Sequence, residues 1–285
     1  MKYLILGSNG MAGHIVYLYL RSQGHEVNGF ARTNQYQFDN IVIGDAMNTV
    51  QLENQIANGD YDVVVNCIGI LNDFAEKNKS IATFLNAYLP QFLADVTSLL
   101  KTRIFHISTD CVFSGKSGSY KESDFRDGET FYDRSKALGE LEDNKNLTLR
   151  SSIIGPDMNP KGIGLLNWFM QQHGTISGYT KSIWTGQTTL QLAKTIEKAG
   201  IENVTGLYNM VPDSSISKYD LLLMLNKKFR NQSLEIKPVE GIVADKSLLR
   251  TRFEFDYVIP SYETMTAELF NWVITHKTLY PHYQL

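Results

Sequence analysis

Residues 1–33 read MKYLILGSNGMAGHIVYLYLRSQGHEVNGFART. Tyr3 to Leu6 form an unbroken apolar run, the pattern of a strand covered on both faces. Gly7, Gly10 and Gly13 follow at three-residue spacing. The period then changes to that of a helix from Met11 to Ser22, ending near Gly24, and His25 to Phe30 return to a strand. Strand, glycine turn, helix and strand within about thirty residues open a dinucleotide-binding unit. Gly7 permits the tight turn, Gly10 lets backbone approach a pyrophosphate, and Gly13 lets the helix pack closely on the sheet. The phosphates would meet unpaired N–H groups at the helix N-terminus, within reach of Ser8, Asn9 and Met11.

The alternation continues down the chain. Asn40 to Gly44 reads as a short strand ending at Asp45 and Ala46, and Thr49 to Asn58 as a helix. Asp62 to Cys67 reads as a strand running into Ile68 and Gly69. Ser80 to Leu100 carries one long helical period. Arg103 to Ser108 is a strand, Thr109 to Thr130 a polar loop, Tyr132 to Asp143 a helix and Leu147 to Arg150 a strand. Strands alternating with helices through short joints predict an α/β fold: a Rossmann-type, doubly wound parallel sheet. After Gly155 and Pro156 the alternation loosens. Helical segments are expected around Trp168 and Phe169, and over 188–199, 219–229 and 262–276. The division expected is a nucleotide-binding domain over 1–155 and a smaller C-terminal substrate lobe over 156–285, with segments returning to the first domain.

Composition agrees with this class. The 285 residues are 43% hydrophobic and 20% charged, and 27 basic residues face 30 acidic ones. No basic field suited to nucleic acid is visible. The first apolar run is too short for a secretion signal, and no stretch reaches the length of a membrane span. A cytoplasmic protein without membrane partners is expected. Two cysteines, Cys67 and Cys111, give neither a disulfide framework nor a CxxC pair. The six histidines show no HExxH or close cluster, so no metal site is predicted. His14 reads as a packed helix position. The aromatic segment 276–285, with Tyr280 and Tyr283, reads as a stretch that docks on a surface or partner.

The chemistry is carried by three short pieces. An acid usually closes the second strand of an NAD site; here Asn28-Gly29-Phe30-Ala31-Arg32-Thr33 offers none. Arg32, helped by Thr33 or Ser8, suits the 2′-phosphate of NADPH, with NADH as the alternative cofactor. Asp45 is placed for the adenine amino group. Tyr132 and Lys136 stand four apart and share a helix face. An ammonium beside the phenol would lower its pKa and make it a proton donor or acceptor near neutral pH. Ser108-Thr109-Asp110 end a strand at the carboxyl edge of the sheet, where open α/β sheets bind ligands. Thr109 could steady a carbonyl oxygen while Tyr132 delivers its proton, and Ser108 and Asp110 would shape the pocket.

Taken with GSNGMAG (7–13), the pieces NCIG (66–69), NAYLP (86–90), STDCVFSG (108–115), YDRSKALGE (132–140) and LRSSIIGP (149–156) resemble the extended short-chain dehydrogenase/reductase family. Within it they resemble the dTDP-4-dehydrorhamnose reductases and related nucleotide-sugar ketoreductases. WTGQTTLQLAK (184–194) and LYNM (207–210) continue the pattern more weakly. The resemblance implies a catalytic triad of Thr109, Tyr132 and Lys136. It implies a cofactor site lined by Gly7, Gly10, Met11, Asp45, Cys67, Gly69 and Lys136, with Asn86 helping to order it. Ser108, Asp110, Cys111, Tyr132, Trp184 and Gln187 would meet a nucleotide-linked deoxyhexulose. A homodimer is an allowed assembly.

Two positions depart from the reductase pattern. Cys111 stands where a tyrosine follows the Ser-Thr-Asp triplet, and Ser114 stands where an aspartate precedes the glycine. They leave the sugar and its nucleotide open. The dehydratases of this fold place glutamate directly after the Thr-Asp pair, and Cys111 removes that second carboxylate. The reading is NADPH-dependent reduction of a 4-keto group on a nucleotide-linked 6-deoxyhexulose. A nucleotide-sugar epimerase, a coupled epimerase–reductase and a non-catalytic NADP-binding regulatory subunit are the alternatives.

Overall fold

The computed structural model describes residues 1–285. Strands β1 (Lys2–Leu6), β2 (Glu26–Ala31), β3 (Ile41–Ile43), β4 (Val63–Asn66), β5 (Arg103–Ser108) and β6 (Leu147–Arg150) lie in one sheet with a strand from far along the chain, Gly206–Asn209. The spatial order from one edge is Gly206–Asn209, β6, β5, β4, β1, β2, β3, and every neighbouring pair is parallel. The order reverses between β1 and β4, so the loops that follow these two strands part at one crevice. That is the switch point where doubly wound sheets take ligands.

Alternation along β1 explains the two covered faces. Tyr3 and Ile5 join one apolar cluster with Val63, Val65 and Phe105; Leu4 and Leu6 join another with Phe30, Val64 and Ile104. Helix α1 (Gly13–Ser22) packs on the first face. Helix α2 (Thr49–Gly59) contributes Leu52 and Ile56 to the second, capped at its start by Asn48, whose side chain accepts the Gln51 N–H.

The long period over 80–100 is broken in a specific way. After the short helices α3 (Asn72–Lys77) and α4 (Lys79–Ala82) the chain makes a π-helical turn over Thr83–Tyr88, and α5 (Leu89–Thr97) follows. Pro90 has no N–H, and its ring would crowd the carbonyl four residues earlier, that of Asn86. The wider turn frees that carbonyl and swings the Asn86 side chain inward. Its Oδ1 accepts the Ile70 N–H (2.8 Å), and its Nδ2 donates to the Ile70 carbonyl (2.9 Å) and Ser135 Oγ (3.1 Å).

Helix α6 (Phe131–Leu138) is shorter than the pattern predicts. Thr130 and Asp133 close its N-terminus as a reciprocal capping box. It stops at Gly139, where any Cβ would lie 2.0 Å from the Asn86 carbonyl oxygen. The chain then turns Glu140 inward. Its carboxylate accepts Ser108 Oγ–H (2.5 Å) and both Arg150 Nε–H (2.9 Å) and Nη2–H (2.7 Å), and it pairs with Arg126. The expected helical extension to Asp143 gives way to this buried ion network.

The second half adds β7 (Ser152–Ile154), α7 (Leu165–Met170), β8 (Thr175–Tyr179), β9 (Ser182–Trp184), β10 (Gly186–Thr188) and α8 (Thr189–Ile201). The seventh sheet strand, β11 (Gly206–Asn209), comes next. It is followed by β12 (Ile216–Ser217), α9 (Lys218–Phe229), β13 (Glu235–Val239), β14 (Ala244–Asp245) and α10 (Tyr262–Thr275). Three small sheets, β7–β10, β12–β9–β14 and β8–β13, were hidden in the sequence because each strand has only two to five residues. The apolar cluster on the α1 face runs on into α8, α9 and α10, so the lobe and the sheet share a core. No helix is long and apolar enough to cross a membrane.

Candidate active site

The turn after β1 has the form the sequence predicts. Gly7 adopts φ +79°, and a Cβ on Gly13 would lie 2.1 Å from the Gly7 carbonyl oxygen. The Gly10 N–H closes the turn on that same oxygen (2.9 Å). The N–H groups of Met11 and Ala12 meet no acceptor in the protein, at the start of α1 where the helix dipole favours an anion. Two further polar atoms here, Ser8 Oγ and Asn9 Oδ1, are buried without a partner. A backbone cradle with orphaned polar atoms beside it fits the diphosphate of a dinucleotide.

Around the cradle the predicted cofactor residues separate into groups. Cys67, Ile68 and Gly69 follow β4 across the crevice, and Gly69 is open to solvent. Asp45 is exposed and accepts the Met47 N–H (2.9 Å), while Ala46 is buried. Arg32 is exposed with no carboxylate partner, and Asn9 Nδ2 donates to the adjacent Thr33 carbonyl (2.7 Å). The Ser8 hydroxyl is buried against Gly29 of β2, where a Cβ would come within 2.6 Å of it. Asn86 acts one step back, fixing the 69–71 backbone through both polar groups of Ile70.

Beyond the crevice, Ser108, Thr109, Asp110, Tyr132 and Lys136 are all buried, and Cys111 is half-buried. Tyr132 packs with Ala75 and Ala82, and Cys111 lies against the same cluster. Thr109 Oγ1 donates to Asp110 Oδ1 (3.1 Å) and accepts the Cys111 N–H (3.2 Å). Burial pushes the Tyr132 phenol well above its ordinary value, and the nearby Cys111 and Asp110 push it the same way; Thr109 opposes them. The expected lowering by Lys136 does not arise: the groups that act on the phenol are Cys111, Thr109, Asp110 and Asp133, and burial sets the direction. Burial also lowers Lys136, to about 8.

Lys136 has a partner that the sequence reading did not single out. Its Nζ lies 2.7 Å from the Ile107 carbonyl and 3.2 Å from His106 Nε2. His106 Nδ1 faces Asn66 Nδ2 at 3.2 Å, and the Asn66 amide is oriented because its Oδ1 accepts the Ile68 N–H (3.1 Å). Nδ1 of the neutral ring accepts from Asn66, and burial beside Lys136 keeps the ring uncharged. With its pKa lowered to about 8, the Lys136 amine is still mostly protonated at pH 7 and donates to the Ile107 carbonyl. His106 lies two residues before Ser108 on β5 and so points to the same face, a signal present in the strand period.

The lobe brings Trp184 close to this centre. Its buried indole packs with Tyr262 and carries Lys218 Nζ over its ring at 4.9 Å. Lys218 and Lys246 both bear on Asp110, whose pKa is raised by burial and held back by the two lysines. Neither lysine lies near any sequence motif, and only the small sheet β12–β9–β14 brings them here. Gln187 takes another place. It is wholly buried in β10, where Oε1 accepts Thr195 Oγ1–H (3.2 Å) and Nε2 lacks a partner. No group of acidic, histidine and cysteine side chains could hold a metal ion.

Comparison with known proteins places this geometry in a lineage. Residues 1–153 match the family described as RmlD substrate binding domain. Among curated relatives, a probable low-salt glycan biosynthesis reductase of Haloferax volcanii is 35% identical over 146 residues, 49% of this chain and 48% of that protein. A dTDP-4-dehydrorhamnose reductase of Mycobacterium tuberculosis is 39% identical over 85 residues, 28% of each. The chain thus matches about half the length, or less, of these relatives. Among solved structures, a hypothetical dTDP-4-dehydrorhamnose reductase from Sulfolobus tokodaii superposes with a TM-score of 0.75. It is 27% identical and covers 87% of this chain and 92% of its own. The Bacillus anthracis dTDP-4-dehydrorhamnose reductase in complex with NADP shares the fold at a TM-score of 0.79 and 21% identity, covering 95% and 99%. With the family match spanning more than half of its length, this chain belongs to the RmlD, or dTDP-4-dehydrorhamnose reductase, family of extended short-chain dehydrogenase/reductases.

Proposed function

We propose that this protein reduces the 4-keto group of a nucleotide-linked 6-deoxyhexulose with NADPH. The observation that supports the reading is that Thr109, Tyr132 and Lys136 are buried after β5 and on α6, on the same carboxyl edge of the parallel sheet as the glycine turn after β1. The names of the mycobacterial and Haloferax relatives support the reaction class.

The cradle N–H groups of Met11 and Ala12 would hold the diphosphate, and unpaired Arg32 would take a 2′-phosphate bidentately. A bound nicotinamide cofactor supplies hydride to the sugar C4. As the carbonyl becomes an alkoxide, Tyr132 gives its phenolic proton to that oxygen. Its raised pKa keeps the proton in place at pH 7, which suits reduction; the reverse oxidation would need the phenolate. Thr109 orients the carbonyl oxygen and Lys136 holds the ribose hydroxyls. The barrier falls mainly through orientation and dipoles fixed in advance within a dry pocket.

The test is oxidation of NADPH, followed at 340 nm, with dTDP-, UDP- and GDP-linked 4-keto-6-deoxyhexoses, NADH in parallel and products identified by NMR. Turnover of one member with NADPH preferred is expected. Solvent deuterium incorporated at C3 or C5 without net NADPH oxidation would replace the reductase reading with an epimerase.

A further inference from the structure

The last helix and the segment after it reach back to the anion cradle through four side-chain and backbone groups in a row. Trp272 Nε1–H donates to Tyr280 Oη (3.3 Å). Tyr280 Oη lies 2.8 Å from His14 Nε2, and His14 Nδ1 lies 2.8 Å from the Gly10 carbonyl oxygen. A carbonyl only accepts, so Nδ1 carries the ring proton. His14 is wholly buried and held neutral, its pKa lowered to about 4 chiefly by that burial. Nε2 is then the acceptor and Tyr280 O–H the donor. The direction of every bond follows: Trp272 to Tyr280, Tyr280 to His14, His14 to Gly10.

The end of the row has a consequence for binding. The Gly10 carbonyl belongs to the same peptide group as the Met11 N–H, a cradle donor without a protein acceptor. Hydrogen bonds in a directional row polarise one another. Drawing charge toward the Gly10 oxygen makes the Met11 N–H a stronger donor to an anion. The segment is also fastened to the lobe. Tyr283 Oη accepts the Asp157 N–H (3.0 Å), and Tyr280 stacks on Tyr283 at 5.7 Å. Both tyrosines are almost wholly buried, which a loosely attached segment would not show.

We propose that His14 and Tyr280 are positioning residues for the cofactor diphosphate, acting through the Gly10–Met11 peptide. Docking of residues 276–283 thereby sets the strength of the anion cradle. The inference rests on the dinucleotide reading above. It accounts for a histidine in the first turn of α1 and for the aromatic character of the segment, which the reaction itself does not use.

Calorimetric titration of the full-length protein with NADP⁺ and, separately, with adenosine 2′-monophosphate tests it. The second ligand has the 2′-phosphate and adenine but no diphosphate. Tyr280→Phe removes only the hydroxyl. His14→Asn keeps a donor for Gly10 and breaks the row at Tyr280. Each variant is expected to weaken NADP⁺ by about 3- to 10-fold and to leave the monophosphate unchanged. The double variant should be no weaker than the weaker single one, since both cut the same row. Unchanged NADP⁺ affinity, or equal weakening of both ligands, would overturn the proposal. A wild-type protein that binds neither NADP⁺ nor NADPH would instead overturn the dinucleotide reading beneath it.

Discussion

At the scale of single residues, the site sets proton affinities by burial more than by neighbouring charge. Tyr132 is driven up and Lys136 down for the same reason: each is taken out of water. Lys136 therefore carries a stability cost. Between pH 8 and the ordinary lysine value of 10.5 the unfolded chain holds a proton that the folded chain has released, so stability rises with pH across that window. Below pH 8 the full penalty of burying the ammonium applies, on the order of 3 kcal/mol. Lys136→Met is expected to melt at a higher temperature than wild type at pH 7, with the gap closing toward pH 10.5, while turnover is lost. A variant melting below wild type at pH 7 would show that the Ile107 and His106 contacts outweigh desolvation. The residue types of this centre were legible in the sequence, because Tyr132 and Lys136 share a helix face and Thr109 ends a strand. The sign of the phenol shift was not, since spacing places charges but gives no depth below the surface.

At the scale of elements, the connection between the sheet and α6 depends on one irregular turn. Pro90 and the carbonyl of Asn86 compete for the same space in a regular helix, and the π-turn over Thr83–Tyr88 resolves this. It delivers Asn86 to the backbone of Ile70 and to Ser135 on α6, tying the loop after β4 to the helix bearing Tyr132 and Lys136. Asn86→Leu would leave the Ile70 N–H and carbonyl unpaired in a half-buried setting. The expected loss is about 3 kcal/mol of unfolding free energy, read from denaturant titration, together with weaker cofactor binding. A loss under about 0.5 kcal/mol would mean that Ile70 reaches water and the tie carries no load. Periodicity showed the helical stretch but not its irregular middle, because the apolar pattern of a π-turn differs little from that of the flanking helices. The overlong reading of α6 has a similar origin: residues 139–143 suit a helix locally, and only the distant Arg150 draws Glu140 inward.

For the whole molecule, the seven parallel strands and the lobe are one packed body with a shared apolar core. Met11 of the cradle reaches the lobe at Gly164, where a Cβ would lie 2.8 Å from its sulfur, and Trp184 of the lobe sits with Lys218 near Asp110. The parallel sheet was readable because each strand–helix unit repeats a strong local signal. The lobe was not, because its strands are short and pair over long distances, as Ala244–Asp245 does with Ser182–Ile183. Residues such as Lys218 and Lys246 enter the site only through that pairing. The central claim is that this assembled site moves a proton from Tyr132 to a sugar oxygen. The most direct measurement is a comparison of wild type with Tyr132→Phe, reading NADPH affinity and reductase turnover on the same preparations. The account predicts near-equal affinity and a kcat lower by about 10²- to 10⁴-fold in the variant. Turnover within a few-fold of wild type would contradict it and remove Tyr132 from the chemistry.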